Sequence, residues 1–422
     1  MMNKIKLLIA CLLIVAGTAM SQNITPYSMY GYGILGDRAT SMQRQMGYVG
    51  YAMSSGRQIN VMNPASYAAI DSLTFLFDIG ANMSVLWSKE GDKKDHSFGG
   101  GLDYVTMQFP VSKHIGMSVG LVPYSSVGYA FGNEIEHGAV ENQGSGGINE
   151  VYVGIAGEFK GFSLGANISY DFGEIVSDVF AQPTGQGQMK YEHVMKVRDW
   201  NIVLGAQYQF RFNRFDRMTL GVTYSPKKTL LGTSWMTSQH VSYDTQATEE
   251  GRMSLRNNYY MPNAVGAGVS FRHEKASRWM AEFDFTWQGW KDCKFSALYK
   301  DGANPDKEGP IFQGMEFNDR LRFAAGGEYT PKIRGNYGER MTYRVGAYYT
   351  KDYLKIQGNS LHEYGATCGV GFPTPEGKTM VNLGLEWKHR AASPNALITE
   401  NYLMINLGVN FNEVWFFKRK IR

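Results

Sequence analysis

The chain has 422 residues, of which 43% are hydrophobic, 14% are aromatic and 19% are charged, and its formal net charge is +4. Its basic residues form no stripe of the kind that binds nucleic acid, so we expect no nucleic-acid partner. The 49 glycines and 26 tyrosines argue against a helical bundle and favour a β-barrel wall, where glycine allows curvature and aromatic rings lie at the membrane interfaces.

Residues 1–21 predict a cleaved signal peptide. Lys4 and Lys6 precede an apolar run over residues 7–19, and Ala19-Met20-Ser21 offers a small-residue cleavage site. The apolar run is too short to span a bilayer as a helix. We therefore expect an exported protein whose mature chain begins at Gln22.

Residues 22–72 form a second region, which shows no regular alternation of apolar and polar residues. The region is rich in Gly, Ser, Met and Tyr, and its Met, Tyr and Ile content argues against disorder. Gly31 to Gly36 matches the GxGxxG pattern, but no buried strand precedes it and no amphipathic helix follows it, so a nucleotide site is not predicted. A hatch, or plug, inside a barrel is the simplest prediction for these 51 residues.

From residue 73 to residue 412 the sequence predicts a transmembrane β-barrel. Runs of ten to fifteen residues alternate between apolar and polar side chains, as in Phe162 to Gly173 and in Leu403 to Phe411. Fourteen such strands are predicted, with starts near residues 73, 98, 116, 148, 162, 194, 218, 256, 277, 318, 341, 361, 378 and 400. The predicted fold class is therefore an all-β, fourteen-stranded antiparallel transmembrane β-barrel with an N-terminal hatch in its lumen.

The predicted connections fall into two length classes. Short turns such as Ser112 to Ile115 and Lys160-Gly161 alternate with longer polar connections such as Ser88 to Ser97, Phe131 to Gly147 and Asp244 to Arg252. Outer-membrane barrels have short periplasmic turns and long external loops. A secreted β-sandwich needs neither two loop classes nor an apolar outward face on every strand. We therefore expect an integral protein of a bacterial outer membrane.

Aromatic residues near strand ends predict the interface girdles of such a barrel. They are Trp87, Trp287, Trp290, Trp387 and Tyr224.

Strand parity places a group of charged residues on the lumen face. Glu282 and Asp284 lie on the ninth predicted strand, Arg320 and Arg322 on the tenth and Arg344 on the eleventh. Opposite charges on neighbouring strands are expected to pair across the sheet. One interpretation is a ladder that braces the wall and holds the hatch. The other is an arginine that contacts the carboxylate of a bound amphiphile, since guanidinium geometry suits carboxylates.

Nothing in the sequence predicts an enzyme, a metal site or a cofactor. The eight histidines lack paired ligand spacing, and no Ser, His and Asp grouping stands out. Cys11 lies in a lipobox-like sequence, but the apolar run continues beyond it, so lipidation is the less favoured alternative. After cleavage Cys293 and Cys368 remain, and the sequence leaves open whether they form a disulfide.

Several motifs resemble the FadL family of outer-membrane transporters for hydrophobic compounds. They are Tyr30-Gly31-Tyr32-Gly33, the segment from Gly47 to Gly56, Asn63-Pro64-Ala65, the stretch from Tyr260 to Gly266 and the stretch from Tyr343 to Tyr349. The resemblance implies a fourteen-stranded barrel whose N-terminal hatch is gated near Asn63, Pro64 and Ala65. The alternative for these three residues is a plain turn into the first strand.

The same resemblance implies a function. It implies passive uptake of long-chain fatty acids or other hydrophobic small molecules, in contact with outer-membrane lipid. The basic aromatic tail, residues 413–422, resembles members of the family from the Bacteroidota. In that phylum the fold also serves as a shuttle or accessory barrel, so the alternative is a non-transporting subunit of a secretion or assembly complex, with protein partners.

Overall fold

The computed structural model describes residues 25–135, 138–183, 188–241, 248–255, 259–293, 295, 315–374 and 379–414. The predicted signal peptide and residues 415–422 of the predicted tail lie outside these ranges. Where described, the chain has no helix with the length and apolar character needed to cross a bilayer.

Fourteen strands form the wall, and we number them in chain order. They are β1 (Thr74–Glu90), β2 (Lys93–Ser112), β3 (Ile115–Ile135), β4 (Gly138–Phe159), β5 (Phe162–Pro183), β6 (Gln188–Arg211), β7 (Asp216–Ser225), β8 (Ala264–Glu274), β9 (Arg278–Gln288), β10 (Arg320–Thr330), β11 (Thr342–Ile356), β12 (Asn359–Pro373), β13 (Met380–Ser393) and β14 (Thr399–Val414).

The wall is closed and antiparallel. Each strand pairs with its neighbour in sequence, and β14 pairs with β1 from Thr399 opposite Lys89 to Val414 opposite Thr74. Closure leaves no free sheet edge in the wall, and lipid can offer no hydrogen-bonding partner to such an edge. The fourteen-stranded antiparallel barrel predicted from the sequence is confirmed.

The two faces of the wall differ in chemistry, as the alternation predicts. On β14, Leu403, Ile405 and Leu407 are between 42% and 48% exposed on the outside, whereas Tyr402 and Met404 are buried inside. Apolar residues on the other strands are exposed in the same way, among them Leu164 and Ile168 of β5. The barrel therefore presents an apolar outer surface around a more polar lumen.

We distinguish the two ends of the barrel by their connections. The turn end carries residues 113–114, 160–161, 212–215, 275–277 and 331–341, and the last of these includes a short helix, Tyr337–Arg340. The other end, which we call the hairpin end, carries the extended hairpins of β1 to β6. Most of the predicted long loops at Ser88 to Ser97 and Phe131 to Gly147 is instead strand. The antiparallel pairing continues past the predicted strand limits, to Glu90 opposite Lys93 and to Ile135 opposite Gly138.

The strand β6 shows how far the wall extends. Its 24 residues are roughly 80 Å long at the rise of an extended chain, whereas the hydrocarbon core of a bilayer is about 30 Å thick. A further hairpin, Gly232–Val241 and Thr248–Leu255, pairs with the first half of β6, so part of the predicted loop at Asp244 to Arg252 is a strand.

The eighth wall strand begins later than predicted. The predicted start lies near residue 256, but β8 begins at Ala264 because Tyr260–Met261 pairs with Lys228–Thr229 outside the main sheet.

Residues 25–72, which we call the N-terminal segment, lie inside the barrel. Their elements are two 3-10 helices, Pro26–Met29 and Pro64–Ala69, a short α-helix, Ser41–Arg44, and a two-residue strand, Ile34–Leu35, that pairs with β3. The backbone N–H of Thr25 donates to the carbonyl of Gly128 in the hairpin half of β3, and the segment then enters β1 at the turn end. It therefore traverses the lumen from one end to the other.

Candidate functional site

The five charged residues predicted for the lumen face are all buried inside the barrel. Their exposed fractions lie between 2% and 6%, and they are Glu282, Asp284, Arg320, Arg322 and Arg344. Each of the five side chains forms a hydrogen bond or an ion pair with the N-terminal segment.

Arg320 and Arg322 of β10 bind Asp37 of the N-terminal segment. The Arg320 Nη2 atom lies 2.8 Å from Asp37 Oδ1, and Arg322 Nη1 donates to Asp37 Oδ2. The Arg322 guanidinium also lies 4.1 Å from the ring centre of Tyr348 and 4.7 Å from that of Tyr48. Burial alone would raise the pKa of Asp37, but the guanidinium groups of Arg322 and Arg320 outweigh burial and lower the pKa below its ordinary value.

Glu282 and Asp284 of β9 accept hydrogen bonds from the backbone of the segment. Asp284 Oδ2 accepts from the N–H groups of Gly50 (2.7 Å) and Tyr51 (3.0 Å), and Glu282 Oε1 accepts from Ala52 N–H (2.7 Å). The predicted pairing of these carboxylates with the arginines of β10 is therefore not what the structure shows. Thr286, not a carboxylate, lies opposite Arg322 in the β9–β10 register, and the unpaired N–H groups of an irregular segment supply donors that sequence parity does not reveal.

Arg344 of β11 forms one contact with the segment and two with neighbouring residues of the wall. Its Nη1 atom donates to Gln45 Oε1 of the segment (3.0 Å) and to Asn382 Oδ1 of β13 (2.8 Å). Its Nε lies 3.4 Å from Glu328 Oε2, directly across the β10–β11 pair. This last ion pair follows the cross-strand pattern expected from the sequence, although Glu328 itself was not predicted.

The predicted gate residues Asn63, Pro64 and Ala65 form the start of the second 3-10 helix. Asn63 is fully buried, and its Oδ1 accepts from Ala65 N–H (3.0 Å) as a helix cap. The Asn63 Nδ2 group donates to the carbonyl of Tyr51 (2.7 Å) and to that of Ala206 in β6 (3.3 Å). Asn63 therefore caps the second 3-10 helix and links the segment to β6. A gating role for Asn63, Pro64 and Ala65 stays a prediction.

Glycines of the wall allow the segment to approach the strands closely. A Cβ atom on Gly326 of β10 would lie 2.0 Å from the carbonyl oxygen of Met46, and one on Gly221 of β7 would lie 1.9 Å from that of Tyr51. Both distances are far inside van der Waals contact, so neither position accepts a larger residue without movement of the segment. Part of the high glycine content thus serves the contact between wall and segment.

Other lumen contacts were not predicted from the sequence. Arg38 pairs with Glu150 of β4 at 2.5 Å, and Arg44 pairs with Asp103 of β2 at 3.0 Å. The hydroxyl groups of Tyr48 and Tyr348 both donate to Glu386 of β13 at 2.6 Å. Parity could have placed the wall members of these contacts in the lumen, but nothing local identifies their partners in the segment.

An aromatic cluster holds the segment at the hairpin end. Trp290 is fully buried and packs against Tyr32, Phe317 and Tyr353. The prediction of Trp290 as a girdle residue is wrong, because the chain turns inward after β9 and carries the ring into the lumen.

The other four predicted girdle residues stay exposed to different degrees. Trp87, Trp387 and Tyr224 are between 43% and 50% exposed on the outer face, and Trp287 is half-buried. Their role as a girdle stays a prediction. Cys293, next to the buried cluster, and the exposed Cys368 are both free thiols, so the disulfide left open by the sequence does not form.

The N-terminal segment leaves cavities in the lumen rather than a wide channel. Three lumen cavities in the described part of the chain have volumes of about 100, 310 and 130 Å³. The first lies beside Arg322 and is lined by Tyr51, Val203, Met261 and Val265. No group of three His, Cys, Asp or Glu side chains suited to a metal ion occurs among the described residues.

Comparisons with known proteins bear on both the family and the fold. A family model described as BamG matches residues 1–422. Among curated protein sequences, none matches the chain.

Solved barrels share the fold at low sequence identity. The Pseudomonas putida toluene transporter TodX is 13% identical with a TM-score of 0.60, over 90% of this chain and 100% of TodX. The Ralstonia pickettii toluene transporter TbuX is 13% identical (TM-score 0.57, 89% of this chain, 98% of TbuX), and a Pseudomonas aeruginosa FadL homologue is 12% identical (TM-score 0.57, 90% and 99%). The FadL-like fold is thus confirmed, whereas a fatty-acid ligand and a Bacteroidota source stay predictions.

Proposed function

This chain belongs to the BamG family, and from its filled lumen we propose that it is a non-transporting barrel subunit of a protein complex in a bacterial outer membrane. The single observation that carries the proposal is the attachment of the N-terminal segment. All five buried charged residues singled out on β9, β10 and β11 bind that segment directly.

The energetics of this attachment favour a fixed plug over a gate. Removal of one partner from a buried ion pair costs about 3–5 kcal/mol, and withdrawal of the segment would separate Asp37 from two buried arginines at once. The same movement would remove the N–H groups that donate hydrogen bonds to the buried carboxylates of Glu282 and Asp284. A transport cycle that displaces the segment would therefore need an energy source of its own.

Cavity size supports the same proposal. The lumen cavity beside Arg322 has a volume of about 100 Å³, whereas an engineered apolar cavity that accommodates benzene has about 150 Å³. A long-chain fatty acid is much larger than benzene. In the described geometry, this cavity holds no such ligand.

The wall supports an outer-membrane location. The apolar outer face needs lipid around it, and a closed barrel is one of the two structures that satisfy their backbone hydrogen bonds in lipid. The extension of β3 to β6 beyond the thickness of a bilayer and the predicted tail, residues 413–422, offer surfaces to protein partners.

The test is native purification of the tagged full-length chain in mild detergent, followed by mass spectrometry of the proteins and lipids that remain bound. We expect other outer-membrane proteins at fixed stoichiometry and no hydrophobic small molecule. A monodisperse chain without protein partners that carries one hydrophobic molecule per barrel would contradict the proposal.

The second candidate is uptake of a hydrophobic small molecule, which the cavity beside Arg322 favours because it combines apolar lining with an arginine. The structural neighbours TodX and TbuX are described as toluene transporters. Uptake of labelled toluene and of a labelled fatty acid by cells that express the chain tests this candidate. Transport through the Arg322 cavity predicts that Arg322→Ala lowers the uptake rate, and equal rates in the variant and the unsubstituted chain would exclude that route.

A further inference from the structure

A second group of arginines lies at the turn end of the lumen and takes no part in holding the N-terminal segment. Five of them line the cavity of about 310 Å³, and we call this group the arginine vestibule. Its members are Arg57 of the segment, Arg211 of β6, Arg217 of β7, Arg272 of β8 and Arg278 of β9. The smaller cavity of about 130 Å³ also borders on Arg57, Arg272 and Arg278, so the two cavities adjoin.

The vestibule has more cations than anions. Three carboxylates line the larger cavity with the five arginines, namely Asp71, Glu158 and Glu274, which leaves an excess of two positive charges. Glu274 lies 3.9 Å from Arg217 at the limit of an ion pair. Arg272 likewise lies 3.9 Å from Glu328, which lines the smaller cavity. The larger cavity thus keeps an excess of positive charge at one mouth of the lumen.

Among the described residues, the lack of an ion pair distinguishes three of these arginines from the five lumen arginines described above, each of which pairs with a carboxylate. Within the described residues, Arg57, Arg211 and Arg278 form no ion pair, and the buried Nε atom of Arg278 has no hydrogen-bond acceptor. By contrast, Arg38 and Arg44 near the middle of the lumen each have a carboxylate within 3.0 Å. A buried guanidinium donor without an acceptor is costly, and an oxyanion from outside would supply the acceptor.

The position of the vestibule restricts what can reach it. The pairing of β6 with β7, β7 with β8 and β8 with β9 runs without a gap to the turn end, so the wall separates these arginines from lipid. A headgroup embedded in the membrane therefore has no direct path. Access is from the aqueous side of the turn end, which the loop-length pattern assigns to the periplasm.

The size and spread of the vestibule favour a chain of carboxylates over one small anion. At about 30 Å³ per water molecule, a cavity of about 310 Å³ holds on the order of ten waters, which is room for two or three acidic side chains. Guanidinium groups bind carboxylates by two parallel hydrogen bonds. Five arginines from four wall strands and the segment are more than one phosphate needs.

We propose that the arginine vestibule binds an acidic peptide segment of a soluble partner protein at the turn end of the barrel. The proposal deepens the proposed function, on which it rests, because it assigns one partner surface of the subunit. It commits to an acidic peptide, and a phosphate-selective site is an outcome that would overturn it.

The test uses the full-length chain purified in detergent and a fluorescent hexaglutamate peptide, with binding followed by fluorescence anisotropy. We expect saturable binding that weakens as salt screens the charges, and no binding of hexaglutamine. The double variant Arg57→Gln/Arg278→Gln should bind hexaglutamate at least tenfold more weakly. Arg214→Gln is the matched control, because Arg214 is an exposed arginine in the turn between β6 and β7 and does not line the cavity.

Three further measurements control for misfolding and for selectivity toward phosphate. Since Arg278 is partly buried, the single variant of the exposed Arg57, Arg57→Gln, repeats the test with little risk to folding, and circular dichroism reports the strand content of every variant. Inorganic phosphate is added as a competitor at the same concentration of charge.

Any one of three results would overturn the proposal. The first is equal binding of hexaglutamate and hexaglutamine, and the second is an equal loss of peptide binding in the vestibule variants and in Arg214→Gln. The third is displacement of the peptide by phosphate at equal charge. Failure here leaves co-purification with outer-membrane proteins unaffected, so it is distinguishable from failure of the proposed function.

Discussion

Substitution of Asp37 by alanine tests whether the buried ion pairs hold the N-terminal segment in the lumen. Asp37 binds both Arg320 and Arg322, whose side chains are 7% and 5% exposed. Removal of the Asp37 carboxylate leaves two buried guanidinium groups without their anionic partner. Loss of one partner of a buried ion pair costs about 3–5 kcal/mol. Because about 1.4 kcal/mol corresponds to a factor of ten, the undocked population should rise by roughly two to four powers of ten.

Hydrogen exchange measured by mass spectrometry on the detergent-solubilised chain reports this population. The amide protons to follow are those of Gly50, Tyr51 and Ala52, which bind Asp284 and Glu282 in the docked segment. Their exchange in Asp37→Ala should accelerate by at least a hundredfold, while the amides of the wall strands keep their protection.

Two variants control this experiment. Asp71→Ala removes an exposed carboxylate of the same segment and should leave the exchange rates within about threefold of the unsubstituted chain. The triple variant Asp37→Ala/Arg320→Met/Arg322→Met removes all three charges and should recover much of the protection, because a buried pair replaced by apolar residues is often no less stable. Equal exchange rates in Asp37→Ala and Asp71→Ala would refute the reasoning.

Two further predictions concern the same docking equilibrium. The pKa of Asp37 is lowered in the folded protein, so its contribution is fully present above the ordinary aspartate pKa of about 3.9 and is lost as the pH falls below that value. The difference in exchange protection between the unsubstituted chain and Asp37→Ala should stay constant from pH 8 to pH 5 and shrink below pH 4, and a decline between pH 7 and pH 5 would contradict this sign. Gly326→Ala should weaken docking by about 1–3 kcal/mol, because its Cβ would lie 2.0 Å from the Met46 carbonyl oxygen, whereas Gly101→Ala, with open space around it, is the matched control. Similar exchange rates at Gly50 in the two glycine variants would contradict the proposed close contact.

The wall of the barrel could be predicted from the sequence because strand parity is a local property. Alternation in β5 and β14 separates outward apolar residues from lumen residues, and the structure buries Arg322 and Arg344 on the lumen side that parity assigns to them. Periodicity does not reveal where a strand ends beyond the membrane, which is why the loop predicted over Phe131 to Gly147 became a strand pair.

The contents of the lumen were decided by the tertiary structure. Asp37 and Arg322 are 285 positions apart in the chain, and Asp37 belongs to a segment with no periodicity from which a partner could be inferred. The side chain of Trp290 follows a turn that carries it inward, so its position near a strand end misled the prediction of a girdle. The sequence alone determined an alternating wall with charges inside it, since alternation needs only neighbours along the strand. The tertiary structure decided that those charges bind the N-terminal segment, since that contact depends on how an irregular chain fits into the closed barrel.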